Sequence, residues 1–368
     1  MKQNVHTPDG VRDIYGDEEK RKLSVENIVK STIYSYGYED IQTPTFEYFD
    51  VFSKEIGTTP SRELYKFFDK DGDTLVLRPD FTPSIARCVS KYFSDEKNPI
   101  RLTYSGNTFI NNHSLQGKLK EVTQIGCELM NDDSIAADAE MIHLVIDTLK
   151  ASGLTKFLLV VGQMDYFKGL CEEAGINEED ERELRELISS KNFFRAGEMI
   201  NSLNLDEDRK NLLLKTGELF GDISVIEGLK PSIKNQRSLA ALDRLTKIYE
   251  ILKAYGDESY VSFDLGILSK YNYYTGIIFK AYTYGIGDVL VKGGRYDRLL
   301  ESFGNPKPAI GFMVVIDDLL LALREQGISV KTREAAISLY YNDSNLCDKI
   351  KEASEMRKEG KAVKLIHE

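Results

Sequence analysis

The residue types that most often bind metals or attack carbonyl carbon are few here. The four histidines are His6, His113, His143 and His367, and the four cysteines are Cys88, Cys127, Cys171 and Cys347. They form no HxxxH, HxxE or CxxC group, whereas zinc takes about four ligands, mostly from close-set pairs. No metal or other cofactor is expected, and the cysteines read as small buried hydrophobes in a reducing compartment. Phosphate and nucleophile signatures are missing too: there is no GxxxxGKS/T, no GxGxxG after a strand and no GxSxG. Gly293-Gly294-Arg295-Tyr296-Asp297 could cradle an anion on backbone N–H groups at a helix start. Taken alone, it reads first as a tight strand-to-helix turn.

The elements that would carry such residues follow from periodicity. Val25, Ile28, Val29, Ile33 and Tyr36 recur at three- and four-residue steps, predicting a helix over 17–36 that Gly37 ends. Asp71-Gly72 between apolar runs predicts a hairpin of 64–68 with 74–78. Thr82-Pro83 fits the cap and first position of a helix through Phe93. Strands are expected at 100–110 and 121–129 around a polar loop, then a helix over 134–151 and a strand at 157–161. Residues 163–255 are rich in Glu, Lys, Leu and Arg and read as a helical insertion. Strand character returns at 260–264, 276–284, 287–292 and 309–316. The expected fold class is α+β, a largely antiparallel sheet flanked by helices over residues 1–325. The tail, 331–368, reads strand, helix, strand, a single βαβ unit.

Composition narrows the function classes. Of 368 residues, 48 are Lys or Arg and 59 are Asp or Glu, a net charge of −11. Such a balance speaks against broad nucleic-acid or anionic-membrane binding, because phosphates are held mainly by Lys and Arg. The longest apolar runs, such as 157–161, are far shorter than the roughly 20 residues a membrane helix needs. A soluble, cytoplasmic protein that spans no membrane is expected.

The order of segments says more than any one of them. Tyr36-Gly37-Tyr38-Glu39-Asp40-Ile41-Gln42-Thr43-Pro44 resembles the dimer-forming first motif of class II aminoacyl-tRNA synthetases. Leu77-Arg78-Pro79-Asp80-Phe81-Thr82 resembles the LRPExT of histidyl-tRNA synthetases, and Phe109 to Glu128 lies over their second motif, with Gly117, Gln124, Gly126 and Glu128 in register. Tyr273-Tyr274-Thr275-Gly276, then Gly293 to Asp297, then Gly311-Phe312 match later landmarks in order. The resemblance covers residues 8–325 and implies a class II synthetase-like core.

Three departures stand against the matches. Arginines of the synthetase motifs, which serve carboxylate and phosphate in two-point fashion, fall on Ile110, Ser269 and Asp318, with Asn272 in place of an aspartate. Losing one positioned donor of this kind typically costs about 3–4 kcal/mol. A carboxylate about 4 Å from a phosphate would add repulsion of roughly 1–4 kcal/mol. Adenylation is expected to be lost, with Lys118 and Arg295 left as candidate anion contacts and no catalytic residue assigned. By motif position, the resemblance implies that Asp80, Thr82 and Gln124 surround an α-amino group and that Glu128, Tyr273 and Tyr274 address an imidazole.

This combination resembles the synthetase-like regulatory subunits of ATP phosphoribosyltransferase, the first enzyme of histidine biosynthesis. Thr7-Pro8-Asp9-Gly10-Val11-Arg12-Asp13 and the aspartate of Leu77 to Pro83 fit that family. The resemblance implies a homodimer without catalysis of its own. It would join the short-form catalytic subunit in a hetero-octamer and take part in feedback inhibition by L-histidine. The tail is too short for a full anticodon-binding domain, so no tRNA partner is expected. The alternative is a working ligase, either an active histidyl-tRNA synthetase fragment or a stand-alone amino-acid adenylating enzyme, against which Ile110, Ser269 and Asp318 speak; a third reading is a purely structural dimer scaffold that binds no ligand.

Overall fold

The computed structural model describes residues 6–52, 59–112, 118–269 and 274–368; Gly117, Asn272 and Tyr273 lie outside them. Helix α1 (Gly16–Ser35) opens with Asp17, Glu18 and Glu19, where the helix dipole favours acids, and buries Val25, Val29 and Ile33 at four-residue steps. Gly37 follows with φ +78°, a backbone conformation that costs glycine little. The chain then forms β1 (Glu39–Asp40) and a three-stranded antiparallel sheet of β2 (Phe46–Tyr48), β3 (Lys66–Phe68) and β4 (Thr74–Leu77). The expected hairpin turn at Asp71-Gly72 joins β3 to β4, with Gly72 at φ +92°.

Next come α2 (Thr82–Tyr92), β5 (Ile100–Phe109), β6 (Glu121–Met130), α3 (Ile135–Ala151) and β7 (Phe157–Gln163). Helices α4 (Met164–Ala174), α5 (Glu178–Ser189), α6 (Phe193–Ser202) and α7 (Glu207–Lys215) follow, then the short β8 (Phe220–Gly221), α8 (Ile223–Leu229) and α9 (Gln236–Tyr255). The chain returns through β9 (Val261–Asp264), β10 (Ile277–Thr283), β11 (Val291–Arg295), β12 (Ala309–Val315) and α10 (Ile316–Glu325). The strand expected at 287–292 begins instead at Val291, because Gly285 turns the chain at φ +87° and Asp288 accepts the N–H of Val289.

The central sheet runs β1-β5-β6-β12-β11-β10-β7-β9-β8. Its pairings are antiparallel except β1 with β5 and β7 with β9, so the largely antiparallel expectation holds. One face carries the main core. Val25, Val29 and Ile33 of α1, Ile142 and Val145 of α3 and Leu245 and Leu252 of α9 pack there with Ile125, Cys127 and Leu129 of β6. The helices between β7 and β9 thus share the core of the sheet. The other face is only partly covered, by α2 and the segment after β11, through Phe81, Ile85, Val89, Tyr104, Tyr296 and Leu299. The C-terminal unit pairs β13 (Ile337–Tyr341) in parallel with β14 (Val363–His367), and α11 (Leu346–Lys358) closes a small core of Leu339, Ala353 and Val363.

Candidate functional site

Strand alternation builds the site. With Ile125, Cys127 and Leu129 turned to the helices, Gln124, Gly126 and Glu128 face the partly open side of the sheet. The register sets Glu128 opposite Gly311, and Gly311 opposite Gly294. Glycine is needed at both. A Cβ on Gly311 would stand 1.7 Å from Glu128 Oε2, and one on Gly294 would stand 2.7 Å from the Tyr274 ring. The floor is therefore low enough for Glu128 and Tyr274 to lie across it. Above it opens a cavity of about 1910 Å³ that Asp80, Thr82, Gln124, Glu128 and Tyr274 all line.

Within this cavity Glu128 is the most confined acid, 2 % exposed. Thr82 donates its hydroxyl to Glu128 Oε1 at 2.8 Å, and Tyr296 donates its own to Oε2. Burial pushes the Glu128 carboxyl up to about 8; these two donors oppose the rise and Asp80 adds to it. Asp80 accepts the backbone N–H of Thr82 at 3.2 Å, which starts α2. Thr82 was expected to cap that helix. Its N–H is instead held by Asp80 and its hydroxyl is spent on Glu128, while Phe81 occupies the cap position without a side-chain bond. Gln124 is 6 % exposed, and its Oε1 has no hydrogen-bond partner among the described residues. An acceptor so buried is costly unless a ligand or water meets it.

Supporting groups hold this geometry. Phe81 stacks on Tyr104 at 4.4 Å between ring centres, and the Arg78 guanidinium lies 4.1 Å over the Phe81 ring. Arg78 also donates to the carbonyls of Asn107 (2.8 Å) and Thr43 (3.1 Å), tying β4 to β5 and to the chain before β2. It is a structural arginine.

Other residues of the lining have a different character. Ile110, Lys118, Ser269 and Asp318 line the same cavity, with Lys280, Asp288 and Lys292. Lys118 bonds Asp288 at 2.7 Å. Burial, then Asp288 and Asp317, push the Asp318 carboxyl up to about 6, against Lys292 and Lys118. Arg295 does not meet the expectation of an anion contact. It lies outside the cavity wall, 3 % exposed, with Nη2 2.6 Å from Asp138 Oδ1 and Nη1 3.1 Å from Asp297 Oδ1. Three groups escaped the sequence reading. Tyr296 was seen only as part of a glycine turn. Lys280 carried one available signal, a lysine inside an otherwise apolar strand, and Lys292, directly before the glycine pair, carried none.

The histidyl-tRNA synthetase family pattern matches residues 10–319. Among curated proteins, the ATP phosphoribosyltransferase regulatory subunit of Acetivibrio thermocellus is 39 % identical over 98 % of this chain and 86 % of its own length. That of Ruminiclostridium cellulolyticum is 40 % identical over 96 % and 85 %. The chain belongs to the ATP phosphoribosyltransferase regulatory subunit family. Among solved structures, an ATP phosphoribosyltransferase regulatory subunit/histidyl-tRNA synthetase from Bacillus halodurans C superposes with a TM-score of 0.90 at 34 % identity, over 99 % of this chain and 93 % of that one. Histidyl-tRNA synthetase from Nostoc sp. PCC 7120 matches at 0.83 and 19 % identity, over 100 % and 87 %, which establishes the shared fold alone. The class II synthetase-like architecture expected from the motifs is therefore the observed one. Among the described residues no helix is long and apolar enough to cross a membrane.

Proposed function

We propose that this chain is the non-catalytic regulatory subunit of a short-form ATP phosphoribosyltransferase and binds L-histidine in the cavity over β6. The observation that carries the reading is the set of groups that this cavity keeps and lacks. It joins a buried carboxyl poised near neutrality, Glu128, with the unsatisfied acceptor of Gln124, the carboxylate of Asp80 and the Tyr274 ring. These groups suit an ammonium and an imidazole: carboxylates and the amide oxygen accept from N–H, and Glu128 can give or take a ring proton. The positions that would grip carboxylate and phosphate during adenylation are occupied by Ile110, Ser269 and Asp318 on the same wall. An apolar group, a short hydroxyl and an acid there supply no guanidinium, so an acyl-adenylate would form without its anion clamp. The names of the relatives fit a chain that works through a catalytic partner. A homodimer through the α1 region, joined to the catalytic subunit in a hetero-octamer, completes the proposal.

The test uses histidine binding and inhibition together. At a hundredfold excess over its dissociation constant, a ligand of the folded state stabilises it by about 2.7 kcal/mol, a melting-temperature rise of roughly 5 °C for a chain of this size. Glu128→Ala should abolish that rise and relieve histidine inhibition of the assembled complex, whereas Lys118→Ala should leave the histidine-induced rise intact. Unchanged inhibition with Glu128→Ala would place the effector site elsewhere.

A further inference from the structure

We infer that the wall of the cavity formed by β10 and β11 is a second site, in which Lys280 and Lys292 hold a compact phosphate group. The register sets these two residues directly opposite each other on neighbouring antiparallel strands, and both line the cavity. Like charges so placed destabilise a sheet unless something lies between them. On their own face of the sheet the neighbours two residues along are Ile278 and Tyr282 beside Lys280 and Gly294 beside Lys292; Lys280 is half-buried and Lys292 is exposed. Burial holds the Lys280 ammonium below its ordinary value, and Lys292 presses it the same way.

Three acids, Asp264, Asp288 and Asp318, lie in the field of the two lysines. Asp264 accepts the Gly266 N–H at 2.8 Å and sits 3.7 Å from Lys191. Asp288 accepts Lys118 and the Val289 N–H. Asp318 is the acid pushed up to about 6. Among the described residues, neither Lys280 nor Lys292 has a carboxylate within 4 Å. A bound dianion would replace one repulsion with two charge-assisted contacts, and Lys118 stands close enough to Asp288 to contribute a third. Asp288 and Asp318 on the same wall disfavour an extended polyphosphate, so the ligand is inorganic phosphate or the phosphate of a monoester. This site shares no residue with the proposed histidine pocket, so either can fail without the other.

The test is calorimetric titration of the intact protein at pH 7. Inorganic phosphate and ribose 5-phosphate are the probes, with ionic strength held constant by sodium chloride. Saturable binding is expected, and Lys292→Ala and Lys280→Met should each weaken it about tenfold, the scale of one charge-assisted contact. Methionine keeps the packing of the Lys280 stem. Lys20→Ala, on the cavity rim in α1, should bind as the parent does. Tighter binding of ribose 5-phosphate identifies a monoester ligand, and tighter binding of phosphate identifies the free ion. No heat beyond the sodium chloride control, or parent-like binding by Lys292→Ala, overturns the inference.

Discussion

Glu128→Gln isolates one proton in one buried place. In the folded chain this carboxyl is pushed from an ordinary 4.5 to about 8, chiefly by burial. A carboxyl raised on folding stabilises the fold where it is protonated in both states. That stabilisation is complete below pH 4.5 and is lost as pH rises through about 8. At about 1.4 kcal/mol for each factor of ten in proton affinity, the full swing is on the order of 5 kcal/mol. Water entering the cavity will reduce it, and we expect at least about 2 kcal/mol between pH 5 and pH 9. Glutamine keeps the carbonyl that accepts from Thr82 or Tyr296 and removes the ionisation. Urea unfolding of both proteins from pH 5 to 9 reads the difference. The parent should lose stability with rising pH more steeply than Glu128→Gln, with the gap widening towards pH 8. Parallel curves would refute the argument that this carboxyl is held protonated by its burial.

Three other outcomes follow. Purified protein should show no histidine-dependent exchange of pyrophosphate into ATP, and Ile110→Arg should not restore it, since Ser269 and Asp318 still face the phosphates; exchange at about 1 per second or faster would show a working ligase. Light scattering at micromolar concentration should give a homodimer, twice the 41.8 kDa of one chain, and a monomer would remove the expected two-fold contact of the α1 region. Arg295→Ala should cost about 1.5–3 kcal/mol in urea unfolding, because it removes the charge-assisted bonds of Arg295 to the fully buried Asp138 and leaves that carboxylate with one cation, Arg244, in place of two; a loss under about 1 kcal/mol would contradict the structural role given to Arg295.

Much of this architecture was legible because pattern and packing agree. The period of α1, the Asp71-Gly72 turn and the βαβ tail each follow from local chemistry that the tertiary structure leaves intact. Gln124, Gly126 and Glu128 likewise announce a common face once β6 is read as a strand. Other features depend on contacts between distant segments. Thr82 looks like a helix cap until Glu128, 46 residues on, claims its hydroxyl. Arg295 looks like an anion ligand until Asp138, 157 residues earlier, binds it. Lys280 and Lys292 become a pair only when β10 and β11 align. Spacing along one strand cannot show which residue will stand across from it.

The central claim is that this chain acts through a partner enzyme. The direct measurement is the ATP phosphoribosyltransferase rate of the short-form catalytic subunit as this protein is titrated into it at fixed substrate concentrations. The account predicts a rate that climbs and saturates at a fixed ratio of the two chains, with this protein alone inactive. A rate unchanged at every ratio would contradict it.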